Sequence, residues 1–312
     1  MKRNRERSLF IVSFLAPAFI LFTAFVAVPC VRALLYSLEK WDGFSEPKWV
    51  GYENFVLLFN ESDIFLIALR HNLILIVAGA TCITALSLFF AALLHRRVHG
   101  AGLFRVTFFF PNVISSVAIS LLWVLLYSTT DFGVINGFLK WLAGGASQLR
   151  LPLQWLGRGD VTVDLPYPFV DSKHLIYAVI PMMVWAATGF YLVLFLAAME
   201  NIPETFYEAA VLDGASGVAQ FFYITLPLIR EVLTVGLVFL LIGCLKFFDP
   251  IWIMENQFPS KDSHVLATLL YQKVFSEYNV GYGSAVAVLL FVLVFLSTLI
   301  TLRLSRREAL EY

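Results

Sequence analysis

Two ionisable residues interrupt a stretch that should otherwise be unbroken hydrocarbon. Lys246 and Asp249 stand three apart after the apolar run Val232 to Leu245, with Phe247, Phe248 and Trp252 beside them. Charged side chains at membrane depth are costly, so they face a partner or a water-filled cavity and mark a pathway. Hydrogen-bonding groups next to aromatic faces are what a polyhydroxylated solute requires, because its hydroxyls need donors and acceptors and its C–H surface lies on rings. The other reading pairs Lys246 with Asp249 near the interface, the lysine snorkelling toward water. Further polar candidates are Asn112 and Ser116, read as four apart on one helix, and Tyr191, which follows Gly189. For these the alternative is hydrogen bonding between helices.

Other reactive types lack the spacing that chemistry needs. His95 and His99 are separated by Arg96, Arg97 and Val98, so the glutamate of H-E-x-x-H is missing. Gly214, Ser216 and Gly217 do not form G-x-S-x-G. Cys30, Cys82 and Cys244 sit singly in apolar runs, with no C-x-x-C and no metal-ligand pattern. No catalytic set and no metal site is expected, and no G-x-x-x-x-G-K-[ST] phosphate loop occurs.

A polar, helix-forming segment is the other prominent feature: EAAVLDGASGVAQFFYITLP, from Glu208 to Pro227. Pro203 suits a first helical turn and Glu204 favours the positive helix end, which predicts a helix starting near Ile202. Phe206, Ala209, Ala210 and Asp213 share one side, and the paired alanines leave it shallow enough for close approach by another surface. Gly214 is suited to the left-handed C-terminal cap. A second amphipathic segment from Ser216 to Leu226 then leads to Pro227, which is read as opening the next span.

The elements that must carry these residues follow from composition. With 60% hydrophobic and 14% charged residues the chain reads as a polytopic membrane protein, all-α, and its 22 basic and 22 acidic residues give no electrostatic case for nucleic acid. About 20 apolar residues are needed to cross the bilayer. Ser8 to Val31, Leu73 to Leu94, Val106 to Thr130, Leu175 to Met199 and Tyr278 to Leu302 reach that length, and the run from Val232 makes a sixth. The first follows MKRNRER but is too long for a signal-peptide core, so it is read as a retained anchor. Short basic loops, HRRVHG above all, put both termini and the Glu200 to Glu231 loop in the cytoplasm. Outside would lie Glu39 to Leu69, with YENFVLLF and IFLIALR as interfacial helices, then Asp131 to Lys173 and Glu255 to Asn279. The organisation expected is an N-terminal part (1–70), a transmembrane core (71–305; helices about 71–94, 103–128, 174–199, 228–252 and 280–304, with the loop 200–227) and a tail (306–312). Small residues of the last span, Gly281, Gly283, Ser284, Ala285 and Ala287, are expected to pack against a second subunit.

Glu208, Ala209 and Ala210, then Gly214, then Ile224 to Pro227 resemble the E-A-A loop of bacterial ABC importer permeases at every position of the pattern. WVGYENFVLLF, FFFPNVISSVAISLLWVLLY, DFGVING, MENIPETFYEAAVLDGA, FFDPIWIM and GYGSAVAVLLFVL extend the resemblance, narrowed to the carbohydrate type of maltose and glycerol-3-phosphate permeases, over nearly the whole chain. One departure is MENQFPS, where such permeases often have a T-x-G-G-P turn. The resemblance implies a six-span type I importer permease in a prokaryotic inner or plasma membrane. Glu208, Ala209, Ala210, Asp213 and Gly214 would form a coupling helix seated on a cytoplasmic ATPase, which would bind the ATP and Mg. It further implies a second homologous permease, an external solute-binding protein and a sugar-like solute, whose pathway would involve Lys246, Asp249, Phe248, Tyr191, Asn112 and Ser116. A non-sugar solute, or a non-transport membrane scaffold, is the alternative.

Overall fold

The computed structural model describes residues 2–60, 63–95, 100–151 and 161–305. Arg96, Arg97, His99 and the basic tail from Arg306, on which the orientation reading leans, lie outside them. The chain divides into two units, residues 1–66 with 269–292 and residues 67–268 with 293–312.

The first unit opens with a helix whose apolar part, Phe10–Tyr36 (α1), is long enough to span a membrane and has no buried residue. Phe14 and Phe25 are 72% and 76% exposed, which in hydrocarbon carries no penalty. A short antiparallel pair follows, β1 (Glu39–Lys40) with β2 (Lys48–Trp49), and then α2 (Glu53–Asn60). Asn54, buried in α2, donates to the Ser37 and Glu39 carbonyls, both at 2.9 Å, and so fixes the strand to the helix. The Asp42 carboxylate accepts from the backbone N–H groups of Ser45 and Phe44 and from the Ser45 hydroxyl, which together hold its pKa down at about 2.

The start of the last span, α13 (Val280–Ser305), belongs to this unit. A Cβ on Gly281 would fall 2.0 Å from the Glu39 carbonyl oxygen, and one on Gly283 would fall 2.3 Å from Val274. Gly281 and Gly283 therefore pack against the chain's own strand and the helical turn at Val274, and Ser284 and Ala285 are buried as well, which corrects the expectation that these four face a second subunit; Ala287 is half-buried.

The second unit holds the other spans. The helix α3 (Asp63–His95) begins earlier than expected, absorbing IFLIALR, which is thus span rather than a separate interfacial helix. The third span is two helices, α4 (Ala101–Val113) and α5 (Ser116–Leu126), set at 97° to each other. Pro111 has no N–H to return to the preceding turn, and α4 ends two residues later. Ile114 and Ser115 are extended, with ψ of 141° and 136°. The segment between the third and fourth spans carries α6 (Val134–Leu142) and an antiparallel hairpin of β3 (Gln148–Leu151) and β4 (Val161–Asp164). Then come α7 (Leu175–Glu200), the loop helices α8 (Glu204–Leu212) and α9 (Gly217–Leu228), and a fifth span in two pieces, α10 (Arg230–Leu245) and α11 (Asp249–Met254). The short α12 (Leu266–Tyr271) follows.

The core of this unit is built around α7, whose Leu175, Val179, Leu192, Phe195, Leu196 and Met199 are buried against α3, α4 and α10. Between helices in lipid the hydrophobic effect contributes little, so close backbone approach and hydrogen bonds must serve. Gly189 supplies the approach: a Cβ there would lie 1.8 Å from the Phe108 carbonyl oxygen. Ser87 of α3 supplies a bond, donating to the Thr188 carbonyl of α7 at 3.0 Å.

Candidate functional site

The two interrupted spans meet. In the third, Asn112 lies at the end of α4 and Ser116 opens α5, so they stand on opposite sides of a bend rather than on one helix. In the fifth, α10 ends at Leu245, Lys246 to Phe248 leave helical geometry, and Asp249 opens α11, so the three-apart spacing is not that of one helix either. α5 packs against α11. Between the breaks lies a cavity of about 420 Å³ lined by Asn112, Ser116, Lys246, Phe248 and Asp249, with Met182, Met183 and Ala187 of α7 forming an apolar wall. Non-helical backbone at membrane depth is tolerated where it lines such a cavity.

Ser116 donates its hydroxyl to the Asp249 carboxylate, joining the two breaks directly. That bond replaces the Lys246 and Asp249 pair considered from sequence. Among the described residues no acidic group lies within 4.0 Å of the Lys246 ammonium, which stays exposed at the cavity wall. Phe248 stacks on Trp252, rings 5.4 Å apart and 19° from parallel. The cavity thus presents a cation, an anion, an amide and an aromatic face, which suits binding and orienting a polar solute with an apolar side.

Tyr191 is not part of this group. It is 7% exposed, within the core beside Phe190 and Phe195, and does not line the cavity. Among the described residues no cluster of three His, Cys, Asp or Glu is placed to hold a metal ion.

The E-A-A loop forms a second surface. Pro203 precedes α8 as its N-cap, so the helix starts at Glu204, slightly later than expected. Glu208, Ala209 and Asp213 are exposed and Ala210 partly so. Gly214 takes φ +75°, with its N–H donating to Val211 and the Ala215 N–H donating to Ala210 at 2.8 Å, which closes the helix in a left-handed cap. Ser216 caps the next helix by accepting from the Ala219 N–H at 3.3 Å. Pro227 lies inside α9, and the fifth span starts only after Ile229, so that proline does not open it.

Residues that sequence reasoning passed over tie this loop together. Tyr207 of α8 shares a hydrogen bond with Thr225 of α9 at 2.9 Å. Burial pushes the Tyr207 phenol pKa up, partly offset by that bond. Arg105 of α4 pairs with Glu200 at the end of α7 at 2.6 Å. These residues surround a cavity of about 740 Å³ beneath the loop. Tyr207 lies inside the motif's neighbourhood, yet its partner is 18 residues away, a separation that no local pattern announces.

A helical membrane protein with a solute-sized cavity at paired helix breaks, and a capped two-helix loop reaching beyond the spans, is built as the membrane component of a transporter. Residues 83–309 match the binding-protein-dependent transport system inner membrane components, and the chain belongs to that family. It is 33% identical over 283 residues to the probable ABC transporter permease protein YurN of Bacillus subtilis, covering 90% of each. With the diacetylchitobiose uptake system permease protein NgcF of Streptomyces coelicolor it shares 32% identity, over 93% of this chain and 80% of that one. Its fold is similar to a chain of the bacterial alginate ABC transporter solved with an alginate pentasaccharide-bound periplasmic protein, at TM-score 0.76 and 22% identity over 99% and 98% of the two chains. The protein is a multi-pass membrane permease subunit of a binding-protein-dependent ABC importer.

Proposed function

We propose that the solute is a sugar or sugar-like molecule and that it passes through the cavity at Asn112, Ser116, Lys246, Phe248 and Asp249. The observation that carries this reading is the convergence of two helix breaks on one cavity that pairs hydrogen-bonding groups with an aromatic face. The diacetylchitobiose and alginate relatives support a carbohydrate.

In this reading the termini and the E-A-A loop are cytoplasmic. α8 docks on a separate ATPase that binds ATP and Mg, with Glu208 and Asp213 making polar contacts, Ala209 and Ala210 allowing close fit, and Gly214 setting the bend. A second, homologous permease completes the pathway, and an external solute-binding protein delivers the cargo. Solute binding cannot by itself drive accumulation. The outward and inward states must be repopulated by a ligand that discriminates between them, here ATP on the partner subunit.

The test is uptake of radiolabelled maltose and diacetylchitobiose by the complete importer in proteoliposomes. Lys246→Ala and Asp249→Ala should each lower uptake about tenfold, the scale of losing one charge-assisted hydrogen bond to the solute, with assembly intact. Wild-type rates in both variants would remove the cavity from the pathway. Accumulation of neither sugar, with uptake of an amino acid or an inorganic ion instead, would overturn the carbohydrate assignment.

A further inference from the structure

The break that brings Lys246 into the cavity leaves the last carbonyls of α10 without helical partners, and orphan carbonyls buried away from water need donors. One side chain meets them. Asn72 of α3 is fully buried and donates to the Cys244 carbonyl at 2.7 Å and the Leu245 carbonyl at 3.2 Å. The same amide accepts from the Leu266 N–H at 2.9 Å, at the start of α12. Its neighbour His71 donates from Nδ1 to the His264 carbonyl at 2.7 Å. Just beyond, α3 widens into a π-helical stretch, Leu75–Ala80, which packs on α10, and the Cys244 thiol donates to the Leu75 carbonyl at 3.7 Å.

We infer that Asn72 is a positioning residue for the solute pathway: its amide fixes where the fifth span stops being helical, and so where the Lys246 ammonium stands in the cavity. Its three bonds use both amide donors and the amide oxygen, so no other residue type of that size reproduces them. Aspartate keeps the acceptor for Leu266 but faces the two carbonyls with negative charge. Leucine keeps the volume and none of the bonds. Asn72 does not line the cavity, and any influence on solute passes through the backbone at Cys244 and Leu245. The role in transport rests on the cavity being the pathway, as proposed above, whereas the clamp on the break does not.

Two readings separate these. In the purified complex, with Cys30 and Cys82 replaced by alanine, a cysteine is placed at Lys246 or, as control, at Ser116, and its reaction rate with a water-soluble methanethiosulfonate is measured. Asn72→Leu and Asn72→Asp should change the rate at position 246 about tenfold, the scale of losing hydrogen bonds to buried carbonyls, and leave position 116 within twofold. Equal changes at both positions, or none, would overturn the assignment. For transport, maltose uptake is measured in a cycle of Asn72→Leu with Lys246→Ala. Effects that fail to multiply mark action through Lys246, and independent effects refute it. A Lys246→Ala variant with wild-type uptake removes only the role of Asn72 in transport through Lys246, leaving the thiol result to decide the clamp. If both Asn72 variants fail to assemble, Asn72→Ser carries the same measurements, and failure of all three makes Asn72 a residue of the fold and overturns the proposal.

Discussion

Tyr207 shows how one hydroxyl sets the behaviour of a loop. Its bond to Thr225 closes the hairpin of α8 and α9, and Gln220 adds a second tie from its amide to the Ala215 carbonyl at 3.1 Å. Tyr207→Phe keeps the ring beside His95 and removes only the hydroxyl. A lost hydrogen bond of about 1 kcal/mol should raise the open population of the loop about fivefold, read as faster amide exchange over residues 221–229; unchanged exchange would mean that packing alone holds the hairpin. The pH dependence follows from the raised phenol pKa. Folding favours the neutral form, so the contribution is complete below the ordinary value of 10.0 and is lost as pH rises through the folded value. At this scale the sequence was only partly readable. Lys246, Asp249, Asn112 and Ser116 stand out because polar atoms are scarce in apolar runs. Asn72 does not, since with Arg70 and His71 it looks like the end of a loop. Its buried position makes sense only once Cys244, Leu245 and Leu266, far away along the chain, are seen to satisfy its amide.

At the scale of elements, apolar length reports the spans well and their interruptions poorly. The hydrocarbon requirement makes a 20-residue run visible, but Ile114 and Phe247 are as apolar as the helices on either side of the breaks. Pro111 was the one local hint in the third span. The contact of α4 with α7 at Gly189 is equally silent, because a glycine in a helix states no partner. It is also testable. Gly189→Ala puts a methyl into the Phe108 carbonyl, and since the obstacle is backbone the helices must separate, a strain of about 1–3 kcal/mol or more. The yield of folded protein from membranes should fall clearly below that of Gly102→Ala, where a Cβ meets nothing within 4 Å. Equal yields would show that α4 and α7 can part without consequence.

At the scale of the whole molecule, the family and the six-span class were legible because one motif, E-A-A with its glycine, carries so much spacing information. The glycines of the last span misled, since small residues predict close packing without naming the surface that packs. Assembly is the property to test here. Gly214 sits at φ +75°, where a β-branched side chain is strained by about 1–2 kcal/mol or more while asparagine is tolerated. Gly214→Val should lower co-purification with the ATPase severalfold and Gly214→Asn should preserve it. Normal recovery of the valine variant would detach the capped bend from docking. The helix α10 also runs from the loop to the cavity. α10 has 16 residues, hence a length of about 24 Å at the helical rise, with Arg230 at the loop end and Leu245, next to Lys246, at the other. A stiff helix neither stretches nor compresses appreciably, so if the loop docks as proposed, a thrust applied beneath Ile229 would arrive at the Lys246 break nearly undiminished, as in a pushrod that ends at a valve.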